Sequence, residues 1–214
     1  FFHNLPRFSE DLDFDTPRLT ERDFKVLLAS VKKDLLREGF DVDHSSEQRE
    51  RLYLAEFNFP RLMKLYQMTD ARGLDLMIKI DIYKPPWKIG YETKVFSLYG
   101  YHLSSLLLDP GCLFSEKLCA LVHRGRGRDI YDTLFLLRKR FPTNTAVLRA
   151  NQLASSPKEL ILRHLARLDK KQLRVLANQV RPFLFKEEDA ELVVKAPDYA
   201  EKFLSAYRSK SKPM

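Results

Sequence analysis

Three carboxylates, Asp11, Asp13 and Asp15, stand at i, i+2 and i+4 within Arg7-Phe8-Ser9-Glu10-Asp11-Leu12-Asp13-Phe14-Asp15. On an extended strand this period turns the acids to one face and Leu12 and Phe14 to the other. Neighbouring carboxylates repel and raise one another's pKa. A divalent cation relieves that cost, and Mg²⁺ is commonly held by one or two carboxylates plus the phosphates of a substrate. The plainer reading is an edge strand with its charges in water. A metal site needs a further acid, and Leu74-Asp75-Leu76-Met77-Ile78-Lys79-Ile80-Asp81-Ile82-Tyr83 offers Asp81. Leu76, Ile78, Ile80 and Ile82 would share one face, with Met77, Lys79, Asp81 and Tyr83 on the other. The nearly continuous apolar run places Asp81 in a central strand. Pairing with Lys79 on a solvent face is the competing account.

A second constellation runs from Ser115 to Asp132. Lys117, Ala120 and Arg124 fall at i, i+3 and i+7 of a helix, two cations flanking a small residue on a face open to a bulky anion. Gly125 and Gly127 end that helix. Asp129 then stands where a helix over Ile130 to Arg138 would be capped, with Asp132 one turn further on. Taken separately, the cations suit a helix C-terminus and the acids a helix N-terminus. Their occurrence within so short a stretch favours a shared role.

The elements around these residues follow from pattern. Thr20, with Asp23 at N3, caps a helix whose Phe24, Leu27, Leu28, Val31, Leu35 and Leu36 recur at helical spacing until Gly39. His44 to Glu50 reads as loop. Leu52, Leu54, Phe57 and Phe59 mark a strand broken at Pro60. A further strand over Leu62 to Met68 is expected to form a hairpin with Leu74 to Tyr83 across a turn at Thr69 to Gly73. Glu92 to Leu108 is β-rich. Asp109-Pro110 opens a helix, Ser156-Pro157-Lys158-Glu159 is a capping box, Asp169 with Gln172 is another, and Pro197 starts a last amphipathic helix. The expected fold is α+β: a mixed or antiparallel sheet over residues 1–108, then a helical region over 109–214 carrying the Lys/Arg and Asp-x-x-Asp motifs.

The 214 residues are 44% hydrophobic and 31% charged, a composition that buries a core. No apolar run approaches the roughly 20 residues of a membrane helix, and no export leader opens the chain. Cys112 and Cys119 lack neighbouring ligands and read as buried apolar residues in a reduced, cytoplasmic protein. A net charge of +8 suits a polyanionic partner.

Arg7 to Phe14 closely resembles the first nucleotidyltransferase motif of the AbiEii/AbiGii toxin family. Glu116-Lys117 through Arg124, and Arg128-Asp129-Ile130-Tyr131-Asp132, resemble its third and fourth motifs. The likeness spans about residues 1 to 140. It implies a polymerase-beta-like nucleotidyltransferase core and a role as the toxin of a toxin–antitoxin or phage-defence system. By that resemblance Asp11 and Asp13 match metal-binding acids, with Asp81 the third. Lys117 matches the lysine on nucleotide phosphates, Ser9, Arg124 and Arg128 join it as nucleotide or RNA contacts, and Asp129 and Asp132 match the catalytic pair. Asp81, Asp129 or Asp132 would accept the hydroxyl proton. The implied reaction is Mg²⁺-dependent transfer of a nucleoside monophosphate from an NTP to an acceptor hydroxyl, with tRNA the preferred acceptor and a cognate antitoxin as partner. The family's Gly-Gly or Gly-Ser turn precedes the acidic strand. This sequence opens at Phe1-Phe2-His3, so that turn, with the fold's first strand and helix, is expected upstream.

Two other readings compete. Asp13-Phe14-Asp15-Thr16 matches the Asp-x-Asp-x-Thr pattern of aspartyl-phosphate phosphatases, although Arg7 to Glu10 is too polar for their buried strand. A basic nucleic-acid- or partner-binding module without catalysis would treat the acids as surface. The C-terminal Arg163, Arg167, Lys170, Lys171 and Arg174 serve RNA contact or solvation alike.

Overall fold

The computed structural model describes residues 2–9, 11–68, 75–98 and 100–207. It is an α+β protein of two compact units, one comprising Ser9–Pro86 and the other Phe1–Phe8 with Trp87–Met214. The β-rich stretch after Tyr91 therefore groups with the helices, where the sequence had placed it with the sheet.

The sheet unit contains β1 (Asp11–Asp15), α1 (Glu21–Arg37), β2 (Asp43–Arg49), β3 (Leu52–Phe59), α2 (Leu62–Leu65) and β4 (Leu76–Tyr83). Strand order is β1-β4-β3-β2; β1 runs parallel to β4, and the other pairs are antiparallel. Asp81 is thus in an interior strand, as its apolar surroundings implied. The Thr20 cap forms as expected, its hydroxyl accepting from the Asp23 N–H at 3.1 Å. Phe24 and Leu28 of α1 then pack with Val42, Ile82 and the inward side chains of β3. Those inward residues are Tyr53, Ala55, Phe57 and Phe59. Leu52 and Leu54 belong to the opposite face, so the phase of this strand differs at its start from the sequence reading.

Two further differences have physical causes. His44 to Glu50 is not a loop: β2 lies at the outer edge of the sheet, exposed almost throughout, and pairs with β3 along its backbone, with the His44 ring stacked on Phe57. Polar edge strands carry no alternation to read. Leu62 to Met68 is not a strand, because Arg61 at φ 62° turns the chain into the single-turn α2. β4 instead pairs with β3. The expected turn at Thr69 to Gly73 lies outside the described residues.

The helical unit begins with a hairpin, β5 (Tyr91–Leu98) and β6 (Tyr101–Leu108). It continues through α3 (Pro110–His123), α4 (Gly127–Arg138), α5 (Thr145–Ala150), α6 (Pro157–Leu165), α7 (Lys170–Val180), α8 (Glu191–Val194) and α9 (Ala196–Ala206). The caps at Asp109, Ser156 and Asp169 form as their residue types require. Phe114, Leu118 and Leu121 of α3 meet Ile130, Leu134 and Leu137 of α4 in the core, joined by Ile161, Val180 and Val193. Gly127 admits α4 against α7, since a Cβ there would overlap the Leu176 carbonyl. Cys112 and Cys119 are free and buried, and burial pushes their thiols up to about 11 and about 12. Both are packing residues, as expected. Among the described residues no helix is long and apolar enough to cross a membrane.

Candidate active site

In the sheet unit the parallel pairing of β1 with β4 sets Asp13 opposite Asp81 and Asp11 opposite Lys79. All four side chains share the face away from α1 by strand alternation. Lys79 bonds elsewhere, with its ammonium 3.6 Å from Glu56. The proposed neutralisation of Asp81 by Lys79 therefore does not form as an ion pair. The side chains of Asp11, Asp13 and Asp81 have no hydrogen-bond or ion-pair partner among the described residues. Burial raises the Asp81 pKa above the ordinary carboxylate value, and the charges of Asp13, Asp11 and Glu56 add to the rise against Lys79. Such a face has an unmet demand for positive charge.

A hard cation would meet that demand, and Asp13 and Asp81, opposite one another in the register, are the carboxylates that could hold it. Asp11 lies two residues back along the same face. Among the described residues no three His, Cys, Asp or Glu side chains are drawn together as a ready-made metal cage. The arrangement suits a cation that brings further oxygen ligands with its substrate. Ser9 is exposed, its hydroxyl donating to the Asp11 carbonyl at 3.4 Å. Asp15 lies opposite Tyr83 at the end of β1. Leu12 and Phe14, on the α1 face, remain half exposed at 49% and 53%.

In the helical unit the cations of α3 meet the acids of α4 in two pairs. Arg124 donates Nε and Nη2 to the two oxygens of Asp129 at 3.1 and 2.6 Å. Lys117 Nζ lies 3.4 Å from Asp132 Oδ2. Asp129 does not cap the helix, whose N-cap is Arg126; it stands at N3 and reaches back to accept the Arg126 N–H at 2.9 Å. Burial pushes the Asp129 pKa up, but the Arg124 and Arg126 hydrogen bonds outweigh it and the net shift is downward. Asp132 has a further partner that the sequence did not disclose. Arg7 grips it by Nε to Oδ1 at 2.7 Å and Nη2 to Oδ2 at 2.6 Å, while Nη1 donates to the Phe8 carbonyl. Burial works against the Arg7 charge, yet the bonds to Asp132 hold it firmly protonated.

Both carboxylates of the Asp-x-x-Asp motif are almost fully buried, each 2% exposed. They therefore act first as clamps. Asp129 fixes Arg124, whose side chain is half exposed, and Asp132 fixes Lys117. Thr133 adds a hydroxyl bond to the Lys117 carbonyl at 3.4 Å. The Arg128 guanidinium lies 4.6 Å from the centre of the Phe183 ring. The structure thus gathers Lys117, Arg124, Asp129 and Asp132 with Arg7 in one unit, and Asp11, Asp13 and Asp81 in the other. Arg7 escaped sequence reasoning because nothing local pairs an arginine with an acid 125 positions away.

No curated protein matches the chain. The sheet unit thus presents a carboxylate face, and the helical unit presents cations held by buried acids. Residues 1–207 of the 214 match the nucleotidyl transferase AbiEii toxin family of type IV toxin–antitoxin systems, and the chain belongs to that family.

Proposed function

We propose that this protein transfers a nucleoside monophosphate from an NTP to an acceptor hydroxyl in a Mg²⁺-dependent reaction, with tRNA as the acceptor and growth arrest as the outcome. The observation that carries this reading is the face of Asp11, Asp13 and Asp81. Among the described residues these three carboxylates go without side-chain partners, in a chain of net charge +8. Asp13 and Asp81, with Asp11 beside them, would hold the cation, which when bound offsets triphosphate charge and stabilises the departing pyrophosphate.

The chain's own groups divide the remaining work. Lys117 and Arg124, held in fixed rotamers by Asp132 and Asp129, contact phosphate oxygens, joined by Ser9 and Arg128. Immobilised cations stabilise developing charge without reorganising during the reaction. The acceptor oxygen bonds to the α-phosphorus as the bond to the bridging oxygen breaks, and pyrophosphate leaves. The acceptor's proton passes to a carboxylate. Of the three acids the sequence offered, Asp81 is the one left open to the acceptor. Asp129 and Asp132 spend their lone pairs on Arg124, the Arg126 N–H, Arg7 and Lys117, whereas the Asp81 side chain has no hydrogen-bond partner among the described residues.

The test incubates the protein with Mg²⁺, each labelled NTP in turn and total tRNA. Label should appear on RNA, and Asp13→Ala and Lys117→Ala should abolish it while the far-UV CD spectrum is unchanged. Expression should arrest growth, with relief by a co-encoded antitoxin. Absence of any Asp13-dependent product with every nucleotide overturns the reading in favour of a non-catalytic binding module.

A further inference from the structure

A small cavity of about 150 Å³ opens in the helical unit between the end of α3, the loop at residues 152–155 and α6. Its polar lining is Gln152, Ser155, Arg163, His164 and Arg167, and no acidic residue lines it. Arg163 lies in the last turn of α6 and Arg167 just past its C-cap, Ala166, and both line the cavity. Arg7, Arg124 and Arg181 of this unit are, by contrast, paired with Asp132, Asp129 and Glu187. Among the described residues, the side chains of Arg163 and Arg167 have no carboxylate partner, and the Ser155 hydroxyl has no hydrogen bond.

His164 adds an independent observation. Its Nε2 is buried and makes no hydrogen bond. The ring occupies space that Gly125 leaves open, since a Cβ on Gly125 would meet His164 Cε1 at 2.5 Å. Burial and the charge of Arg167 hold the imidazole pKa below its ordinary value, against a weaker pull from Asp129. Asp129 is itself committed to Arg124 and the Arg126 N–H. Two unmatched guanidinium groups and an unpaired imidazole therefore share one concavity. Guanidinium pairs answer to tetrahedral oxyanions through forked N–H donors. The cavity holds roughly five times the ~30 Å³ share of a water molecule, well short of the ~300 Å³ at which small-molecule pockets begin. That size accommodates one phosphoryl group.

We propose that this cavity is a binding site for a single phosphoryl group, held by Arg163, Arg167 and Ser155 and distinct from the residues assigned to nucleotidyl transfer. Its lining includes none of Lys117, Arg124, Arg128, Asp129 or Asp132. The phosphoryl group comes from free phosphate or from the backbone of a bound RNA, which present the same oxygens.

The test is calorimetric titration of the protein with inorganic phosphate at constant ionic strength, with chloride as control. Saturable binding should weaken at least tenfold in the Arg163→Gln/Arg167→Gln double variant and persist in Lys117→Ala. Both arginines are exposed, so the fold should survive. Should the double variant misfold, the wild-type protein still decides, because added phosphate should shift the His164 imidazole resonances in a saturable way. Displacement of a short single-stranded RNA by phosphate identifies the RNA backbone as the source, and simultaneous binding identifies the free anion. No saturable phosphate binding, or binding indifferent to the double variant, overturns the proposal and leaves Arg163 and Arg167 as cations serving the C-terminus of α6.

Discussion

Arg7 and Asp132 are joined by two parallel hydrogen bonds, at 2.7 and 2.6 Å, across 125 positions of sequence. The fork ties the first residues of the chain to α4 within the helical unit, beside the isolated bridge of Arg7 to Leu184. Asp132 is thereby held between two cations, Arg7 and Lys117, with its own side chain 3% exposed.

Removing Arg7 leaves that carboxylate buried with Lys117 as its remaining cation. Arg7→Ala should destabilise the protein by about 3 kcal/mol, the cost of stranding one partner of a buried pair. Urea unfolding measures it. A loss below about 1 kcal/mol would show that water replaces the guanidinium without penalty.

Asp81 carries the opposite signature. Its pKa is raised in the folded protein, so folding disfavours its ionised form. The sign follows from linkage: that cost is absent where Asp81 is protonated in both states, and is fully present above the raised folded pKa. Asp81→Asn should therefore be neutral near pH 3 and increasingly more stable than wild type toward pH 7, while losing nucleotidyl transfer. Urea midpoints of the two proteins across that range check it. A variant less stable than wild type at pH 7 would mean that Asp81 is a structural acid.

Asp129 behaves in reverse. Its pKa is lowered, so it contributes stability above the unfolded carboxylate value, near ~3.9, and loses it as pH falls through the depressed folded value. Asp129→Asn should cancel the part of acid unfolding that lies below that unfolded value. Arg124→Gln should cost less, about 1 kcal/mol, because its side chain is half exposed and screened by solvent. Acid titrations followed by CD compare all three proteins.

Gly127 offers a steric test of how α4 is seated. Gly127→Ala drives a methyl group into the Leu176 carbonyl and should cost about 2 kcal/mol by overpacking. Thermal unfolding reads it. Unchanged stability would show that α7 yields freely.

Much of this architecture was legible because its signals are local. The caps at Thr20, Asp109, Ser156 and Asp169 are decided by one side chain and an N–H two or three residues away. The alternation around Asp81 likewise identified an interior strand. What remained hidden depends on partners distant in sequence. β2 is a strand only because β3 lies beside it, and α2 follows from one left-handed residue at Arg61. The Lys117 and Asp-x-x-Asp motifs were visible as residue types, but their pairing, Arg124 with Asp129 and Lys117 with Asp132, required two packed helices. Arg7 could be found in no other way than from the fold.

On the proposed mechanism, Asp13 and Asp81 hold the cation on which transfer depends. Titration of Mn²⁺, followed by electron paramagnetic resonance in the presence of a non-hydrolysable NTP analogue, tests it most directly. Wild type should bind the ion saturably, and both Asp13→Asn and Asp81→Asn should weaken binding at least tenfold while remaining folded. Equal Mn²⁺ affinity in wild type and both variants would mean that neither carboxylate holds the ion.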